Sequence, residues 1–176
     1  MLSALLELYR TFFDPMFLEE ALDLQRQMVD DFWDGENGGF YLSAKASSDL
    51  PVRPKQLYDG ALPSANSVSL GNLVFLSRLT GDPQWEEQAR KLAAAVSGTV
   101  TRQPSAFTQM LIGLDALLAP GREIVIAGER GRPDTEAMLE AATGGILAPD
   151  AVVLKTADTA KALAKAAPFT RDMSPQ

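Results

Sequence analysis

The chain has 176 residues, a formal net charge of −7 and 46% hydrophobic residues, values that are typical of a globular protein. It contains no cysteine and no histidine, which excludes disulfides, thiolate or imidazole metal ligands and a Ser-His-Asp triad. Any general acid or base must therefore be Asp, Glu, Lys or Tyr. The acidic balance argues against nucleic-acid binding, and no apolar stretch has the length of a membrane helix. We expect no metal and no cofactor. We also expect a cytoplasmic protein, since the N-terminus MLSALLELYR lacks the basic start of a signal peptide.

An internal repeat organises the first half of the chain. A shift of 68 residues places Asp14-Pro15 on Asp82-Pro83. Asp is a favoured N-cap and Pro a favoured first helical residue, so each copy predicts the corner of a helical hairpin. An apolar stripe follows each corner, and such stripes are buried when hairpins stack. The predicted stripes consist of Phe17, Ala21, Leu24 and Met28 in the first copy and of Trp85, Ala89, Leu92 and Val96 in the second.

The remaining elements follow from periodicity and from turn residues. Helices are predicted near 2–12, 16–32, 64–79, 83–97 and 104–118, with a short β-ribbon or turn near 38–52. The pattern changes after Ala119-Pro120-Gly121. Strands near 123–127 and 151–154 then alternate with helices near 133–142 and 159–167, which predicts a parallel βαβ unit. The predicted fold is mainly α, with stacked hairpins over residues 1–120 and a small α/β segment, 121–176, packed on them.

The segment 52–67 is the first candidate site, because it places polar and charged side chains in a loop at a helix entrance. Asp59 is the candidate acid or base, and Arg53 or Lys55 would set its charge state. The candidate ligand-binding residues here are Arg53, Lys55, Tyr58, Ser64 and Asn66. The alternative is structural: Ser64 is a natural N-cap and Asp59 a turn or capping residue.

The segment 30–41 is acidic and aromatic and offers a second candidate site. Trp33 and Tyr41 could stack beneath a sugar ring, and Asp34 or Glu36 could supply the second carboxyl group that a glycosidase needs. The alternative is that the aromatic rings belong to the core and that Gly38-Gly39 allow a tight turn. A calcium site is disfavoured, because the carboxylates lack EF-hand spacing.

The segment 127–135 follows a predicted strand and opens a predicted helix, which is the usual place of an anion site. Arg130 and Arg132 could contact a phosphate there, but the glycine spacing matches neither the dinucleotide motif nor the P-loop. The alternatives are solvated arginines and a helix cap at Asp134 or Thr135. A nucleotide-binding function is therefore the least favoured of the hypotheses.

Three stretches of the sequence carry a resemblance to a known family: FWDGENGGFY, RPKQLYDGALPSANSVSLGNLVFLSRLTGD and EIVIAG. Together they resemble the C-terminal part of the thioredoxin-domain-containing family related to bacterial YyaL and to the vertebrate spermatogenesis-associated protein. The resemblance implies part of an α/α toroid, similar to six-hairpin glycosidases and N-acylglucosamine 2-epimerases, behind an N-terminal thioredoxin-like domain. It also implies that Tyr58, Asp59, Ser64 and Asn66 are motif residues without an assigned role.

The resemblance sets the functional expectation. Five hairpin helices cannot close a six-hairpin ring, and the family's cysteines and the epimerases' histidines are absent. We therefore expect a fragment that acts as a non-catalytic or catalytically incomplete module. Its expected partners are the missing thioredoxin-like and toroid regions of a longer chain, or further copies that bind through exposed hairpin faces. The alternative is a carbohydrate-binding or carbohydrate-processing site around Asp59.

Overall fold

The computed structural model describes residues 1–47, 52–144 and 151–174, which form two compact units. The first unit comprises Met1–Ala21, Phe75–Asp82 and Gly121–Gln176, and the second comprises Leu22–Val74 and Pro83–Pro120. The described helices are α1 (Leu2–Phe12), α2 (Pro15–Phe32), α3 (Ala65–Thr80), α4 (Pro83–Arg102), α5 (Thr108–Leu118), α6 (Pro133–Thr143) and α7 (Ala160–Ala166). The described strands are β1 (Glu123–Ala127) and β2 (Ala151–Lys155). The predicted mainly helical fold is thereby confirmed.

The two repeated corners have the same backbone geometry. The residue after α1 is Phe13 (φ 50°) and the residue after α3 is Gly81 (φ 68°), so both helices end in a left-handed residue. The N–H of each donates to the carbonyl four residues earlier, at 2.7 and 2.8 Å. The next helices begin at Pro15 and Pro83, as the favourable first-turn position of proline predicts. The repeat seen in the sequence is therefore a repeat of helix boundaries and corner conformation.

The predicted apolar stripe is correct for α4 and partly wrong for α2. In α4, Trp85, Ala89, Leu92 and Val96 are all at most 2% exposed. In α2, Ala21 is buried as predicted, but Phe17, Leu24 and Met28 are only partly buried. The other buried residues of α2 are Pro15, Leu18, Leu22 and Gln25. The buried face of α2 is thus rotated by about one residue, because contacts with the rest of the fold, rather than the repeat, select it.

The second half forms the predicted βαβ unit. β1 and β2 pair in parallel, with Glu123 opposite Ala151 and Ala127 opposite Lys155, and α6 connects them in the sequence. The core of this part of the first unit consists of Phe13, Ile126, Leu139, Val152 and Leu154. Phe13 is only 7% exposed, so burial of its ring offsets the cost of its left-handed backbone.

Two predicted elements differ in detail from the structure. The predicted helix near 104–118 is divided into a 3₁₀ turn, Pro104–Ala106, and α5. The predicted ribbon or turn near 38–52 is a turn with one isolated antiparallel bridge between Trp33 and Phe40. Residues 48–51 of that prediction lie outside the described residues.

Candidate functional site

Two buried carboxylates organise the polar residues of the second unit. One is Asp59, and we use the name Asp59 junction for Asp59, Ser64, Ser67 and Met110. The other is Asp34, and we use the name Asp34 cluster for Asp34, Asn37, Tyr41, Arg53 and Lys55. Asp59 is 9% exposed and Asp34 is 7% exposed, so both carboxylates depend on protein partners to replace water.

The Asp59 carboxylate joins the starts of two helices. Its Oδ1 atom accepts a hydrogen bond from the backbone N–H of Ser64 at 2.9 Å, directly before α3. Its Oδ2 atom accepts one from the backbone N–H of Met110 at 3.1 Å, in the first turn of α5. The backbone N–H of Asp59 itself donates to the carbonyl of Ala106 at 3.0 Å. The loop residue thus fixes α5 from 51 positions earlier in the chain.

The reason for this contact lies in the sequence at the start of α5. The N-cap residue is Phe107, which makes no side-chain capping hydrogen bond. The first N–H groups of a helix have no partner within the helix, and the helix dipole favours a negative charge there. The carboxylate of Asp59 provides both the acceptor and the charge that Phe107 lacks.

Ser64 caps α3 in the way that the structural alternative predicted. Its Oγ atom accepts a hydrogen bond from the backbone N–H of Ser67 at 3.0 Å, and the two hydroxyl oxygens lie 2.7 Å apart. Ser64 is 1% exposed and Ser67 is fully buried. Both hydroxyl groups are therefore used within the loop and the first turn of the helix.

The environment of Asp59 lowers the pKa of its carboxyl group. Burial of the carboxylate raises the pKa, but hydrogen bonds from the Ser67 hydroxyl and from the backbone N–H groups of Ser64 and Met110 outweigh that effect. The group is therefore ionised at neutral pH. A general acid needs the opposite shift.

The Asp34 carboxylate is held mainly by side chains. Its Oδ2 atom accepts hydrogen bonds from the Lys55 ammonium at 2.6 Å, the Tyr41 hydroxyl at 2.8 Å and the Asn37 amide at 3.2 Å. Its Oδ1 atom accepts from the backbone N–H groups of Glu36 at 3.0 Å and Asn37 at 3.1 Å. All of these donors lie in the described parts of the loop region between α2 and α3.

These contacts shift the pKa of both acidic groups in the cluster. The hydrogen bond from Lys55 is the largest influence that holds the pKa of Asp34 well below its usual range, against an opposing effect of burial. The hydrogen bond to the Asp34 carboxylate raises the pKa of Tyr41. At neutral pH Asp34 is therefore a carboxylate and Tyr41 a neutral phenol.

The cations of the cluster are also bound by backbone and aromatic groups. Lys55 donates a second hydrogen bond to the carbonyl of Gly38 at 2.6 Å. Arg53 donates to the carbonyls of Ser43 and Asp31, and its guanidinium lies 4.2 Å from the centre of the Tyr41 ring. The ring is thus covered by a cation, which competes with its use as a sugar platform.

Asn66 connects the loops that carry the cluster. Its side-chain oxygen accepts from the backbone N–H of Phe40 at 2.7 Å, and its amide donates to the carbonyls of Phe40 and Gln56, both at 2.9 Å. The turn beside it requires glycine: at Gly38 (φ 74°) a Cβ atom would lie 2.7 Å from the carbonyl oxygen of Lys91. Asn66 is fully buried, and both its amide protons have protein acceptors.

The structure therefore separates the candidate residues into three sets. Tyr41 and Lys55 bond to Asp34, a residue considered in the sequence only as an optional second carboxyl group, and Arg53 lies on the ring of Tyr41. Asp59 and Ser64 meet at the helix junction with Ser67 and Met110, whose participation the sequence analysis did not detect. The third set contains the remaining candidates, Trp33, Asn66 and Tyr58. Trp33 packs edge-on against Phe40, with ring centres 5.0 Å apart. Tyr58 is 56% exposed, and its ring centre lies 6.4 Å from that of Phe107.

The loop 127–135 in the first unit has carboxylates at the positions where an anion would bind. The backbone N–H of Gly131 donates to Glu136 at 2.9 Å, and that of Thr135 to its neighbour Asp134 at 2.9 Å. Arg130 donates to the carbonyl of Phe13 at 3.4 Å. The helix start is therefore already supplied with negative charge, which lends the nucleotide hypothesis no support.

Two kinds of feature are absent from the described residues. Within residues 1–47, 52–144 and 151–174, no three carboxylates come together in a way that could hold a metal ion. In the same residues, no helix combines the length and the apolar character needed to cross a membrane.

The chain is similar to part of several longer animal proteins, and the mammalian ones among them share a name. It is 36% identical over 170 residues to spermatogenesis-associated protein 20 of Rattus norvegicus, which covers 96% of the chain and 22% of the relative. The human protein of that name is also 36% identical, over 94% of the chain and 21% of the relative. An uncharacterized protein of Caenorhabditis elegans, B0495.5, is 29% identical over 80% of the chain and 18% of the relative. No protein-family model matches the chain.

The chain thus spans about a fifth of the length of the mammalian relatives. It matches a C-terminal part of them, as the resemblance in the sequence indicated. The names of these relatives describe no reaction, ligand or assembly. The thioredoxin-like domain, the toroid and the likeness to glycosidases stay predictions.

Proposed function

We propose that this chain is a non-catalytic helical module of a larger protein, in which the candidate acid Asp59 holds the fold together. The observation that carries the proposal is the double cap. Each oxygen of the Asp59 carboxylate accepts a backbone N–H from the start of a different helix segment. In the folded protein, both oxygens of this carboxylate and its negative charge already have backbone partners at helix starts.

The other polar candidates support the same conclusion. The second carboxylate, Asp34, accepts from five donors and forms an ion pair with Lys55 at 2.6 Å. Asn66, the candidate for binding ligand hydroxyls, donates both amide protons to backbone carbonyls. The residue types of a carbohydrate site are present, but the polar side-chain atoms of Asp34, Asp59 and Asn66 bond to the protein.

The length of the relatives supports the second half of the proposal. The chain covers about a fifth of the mammalian proteins, and α5 leaves apolar side chains on its surface: Leu111 is 38%, Ile112 62% and Leu118 77% exposed. Such residues are common at surfaces that contact further protein. We propose that the module contributes to an α/α toroid whose other hairpins belong to the longer polypeptide.

The test is to remove the Asp59 carboxylate and to measure stability and saccharide binding on the same samples. Asp59→Ala removes the acceptors of two helix starts, so we expect a loss of about 2–3 kcal/mol in the free energy of unfolding. Asp59→Asn keeps one oxygen and places an amide against an N–H donor, so we expect a loss of about 1–2 kcal/mol. The matched control is Asp115→Asn, an exposed carboxylate in α5, which should change stability by less than about 0.5 kcal/mol.

Calorimetric titration with neutral and N-acetylated sugars completes the test. We expect no binding by the unsubstituted chain. Saccharide binding that Asp59→Asn abolishes, while the free energy of unfolding stays unchanged, would contradict the proposal and favour the carbohydrate alternative.

A further inference from the structure

β1 is an edge strand with a regular set of backbone groups that face away from β2. The N–H of Gly128 donates to the carbonyl of Lys155, and the N–H of Ala151 donates to the carbonyl of Arg122. With the observed register, the even-numbered residues of β1 therefore bond to β2, because the bonded residues alternate in a parallel ladder. The N–H and C=O groups of Glu123, Val125 and Ala127 point to the opposite edge.

This edge has no partner in the part of the chain that the structure describes. No hydrogen bond joins the outward backbone groups of β1 to residues 1–47, 52–144 or 151–174. Glu123 is exposed, and Val125 and Ala127 are partly exposed. Two strands are also fewer than an independently stable sheet normally has.

A groove of about 920 Å³ lies along the same edge. Its apolar lining consists of Val125, Ala127, Met138 of α6 and Met173, and its charged lining of Glu129, Arg132, Asp134 and Asp172. Met138 is 57% and Met173 is 42% exposed. The buried ammonium group of Lys155 donates hydrogen bonds to the carbonyls of Thr170, Arg171 and Met173 at 2.5–2.9 Å. These bonds fix the position of Met173.

We propose that the occupant of this edge is β1 of a second copy of the chain, paired antiparallel with Val125 opposite Val125. In this register the outward groups of Glu123 meet those of Ala127 in the other copy, and those of Val125 meet each other. Every outward N–H therefore faces an outward C=O. The two copies of β1 and β2 form one continuous sheet around a two-fold axis.

Charge favours this register over its neighbours. Pairing centred on Glu123 would place two carboxylates opposite each other, which destabilises an antiparallel pair. Pairing centred on Val125 places each Glu123 opposite an alanine and uses all three outward residues of both copies. The edge is thus complementary to itself, which is what an isologous interface requires.

The helices fit the same arrangement. α6 packs on β1 and β2, with Leu139 in the core beside Ile126 and Leu154. With strands about 4.8 Å apart, two such helices related by the axis lie about 10 Å apart, close to the usual spacing of packed helices. The exposed Met138 side chains then lie between them, and their burial stabilises the dimer.

The proposal is tested by measuring the mass of the 176-residue chain by sedimentation velocity over a wide range of concentrations. We expect a monomer–dimer equilibrium. Val125→Pro removes an outward N–H and no hydrogen bond to β2, so it should weaken the dimer at least about 30-fold while circular dichroism and the unfolding temperature of the monomer stay unchanged. The matched control, Val125→Thr, keeps the N–H and the β-branched shape and should still dimerise.

A second variant reports the register. The chain has no cysteine, so Val125→Cys introduces a single thiol. Opposed residues in the proposed pair have Cα atoms about 5.5 Å apart, within the range of a disulfide, so mild oxidation should link the copies. Lys161→Cys, an exposed position on α7, should not form a link at a comparable rate.

Three outcomes overturn the proposal. They are a monomer at every concentration, a dimer that Val125→Pro leaves intact, and equal cross-linking at residues 125 and 161. Occupation of the edge by a small molecule or by another part of a longer polypeptide would appear as the first of these. The proposed function of the second unit fails by different measurements, because Asp59 variants test stability and saccharide binding rather than association.

Discussion

The Asp59 junction and the Asp34 cluster each stabilise a buried carboxylate, but with different hydrogen-bond partners. Both bury a carboxylate that stays ionised, and both hold its pKa below the usual value. Asp59 is held by backbone N–H groups and a serine hydroxyl, whereas Asp34 is held largely by an ammonium group, a phenol and an amide. The first arrangement connects helix starts, and the second connects two loops.

The difference determines what each carboxylate leaves behind when it is removed. Loss of Asp59 leaves two buried backbone N–H donors at helix starts, but these donors carry no net charge. Loss of Asp34 leaves the ammonium group of Lys55, which is 19% exposed, without its counter-charge. An uncompensated charge in a partly buried place costs more than an uncapped helix.

The largest expected effect is therefore that of Asp34→Ala. We expect a loss of about 3–4 kcal/mol in the free energy of unfolding, measured with urea. Lys55→Met should cost less, because the other donors to Asp34 remain in place. The loss in the double variant should be about 1–3 kcal/mol smaller than the sum of the two single-variant losses. A loss below about 1 kcal/mol for Asp34→Ala would contradict the account of the cluster.

The control for this prediction is Glu36→Ala. Glu36 is exposed, and only its backbone N–H contacts Asp34. Its side chain was an alternative candidate for a second carboxyl group. We expect its removal to change the free energy of unfolding by less than about 0.5 kcal/mol.

A smaller effect is expected for Tyr41→Phe. The change removes one donor to Asp34 at 2.8 Å and leaves the ring on which Arg53 lies. We expect the thermal unfolding midpoint to fall by a few degrees. Tyr58→Phe is the matched control, since the Tyr58 side chain is mostly exposed, and it should leave the midpoint unchanged. Equal effects of the two variants would show that the hydroxyl of Tyr41 has no structural role.

The sequence predicted the local structure well because local rules decide it. Helix corners at Asp14-Pro15 and Asp82-Pro83 depend on capping and on proline, and the strands at 123–127 and 151–154 depend on short apolar runs bounded by turn residues. The buried face of α2 was predicted only in part. That face depends on which neighbours pack against it, and a repeat in the sequence does not contain this information.

The candidate sites were predicted as residue types but not as contacts. The N-cap at Ser64 follows from its position before a helix. The bond from Met110 to Asp59 does not, because it joins a loop to a helix 51 residues away. The sequence predicted the start of this helix near residue 104, so the uncapped start at Phe107, which needs an acceptor from elsewhere, became visible only in the structure. Lys55 and Asp34 are likewise 21 positions apart, and the sequence between them contains two other carboxylates, Glu36 and Asp49, that could have served instead.

The lowered pKa values give the protein a defined response to acid. A carboxyl group whose pKa is lowered on folding contributes stability above its unfolded pKa, about 4. That contribution is lost as the pH falls through the folded value. Both Asp34 and Asp59 therefore predict that the free energy of unfolding decreases below about pH 4, with no comparable loss between pH 5 and 8 from these two groups.

The central claim is that Asp59 is a structural cap and not a catalytic acid. The most direct measurement is a titration of its side-chain carboxyl carbon by NMR, assigned with Asp59→Asn. We predict a midpoint below about 3.9, or unfolding before protonation is complete. A midpoint above about 5 in the folded protein is the sign of a carboxyl group adapted to proton transfer, and it would contradict the account.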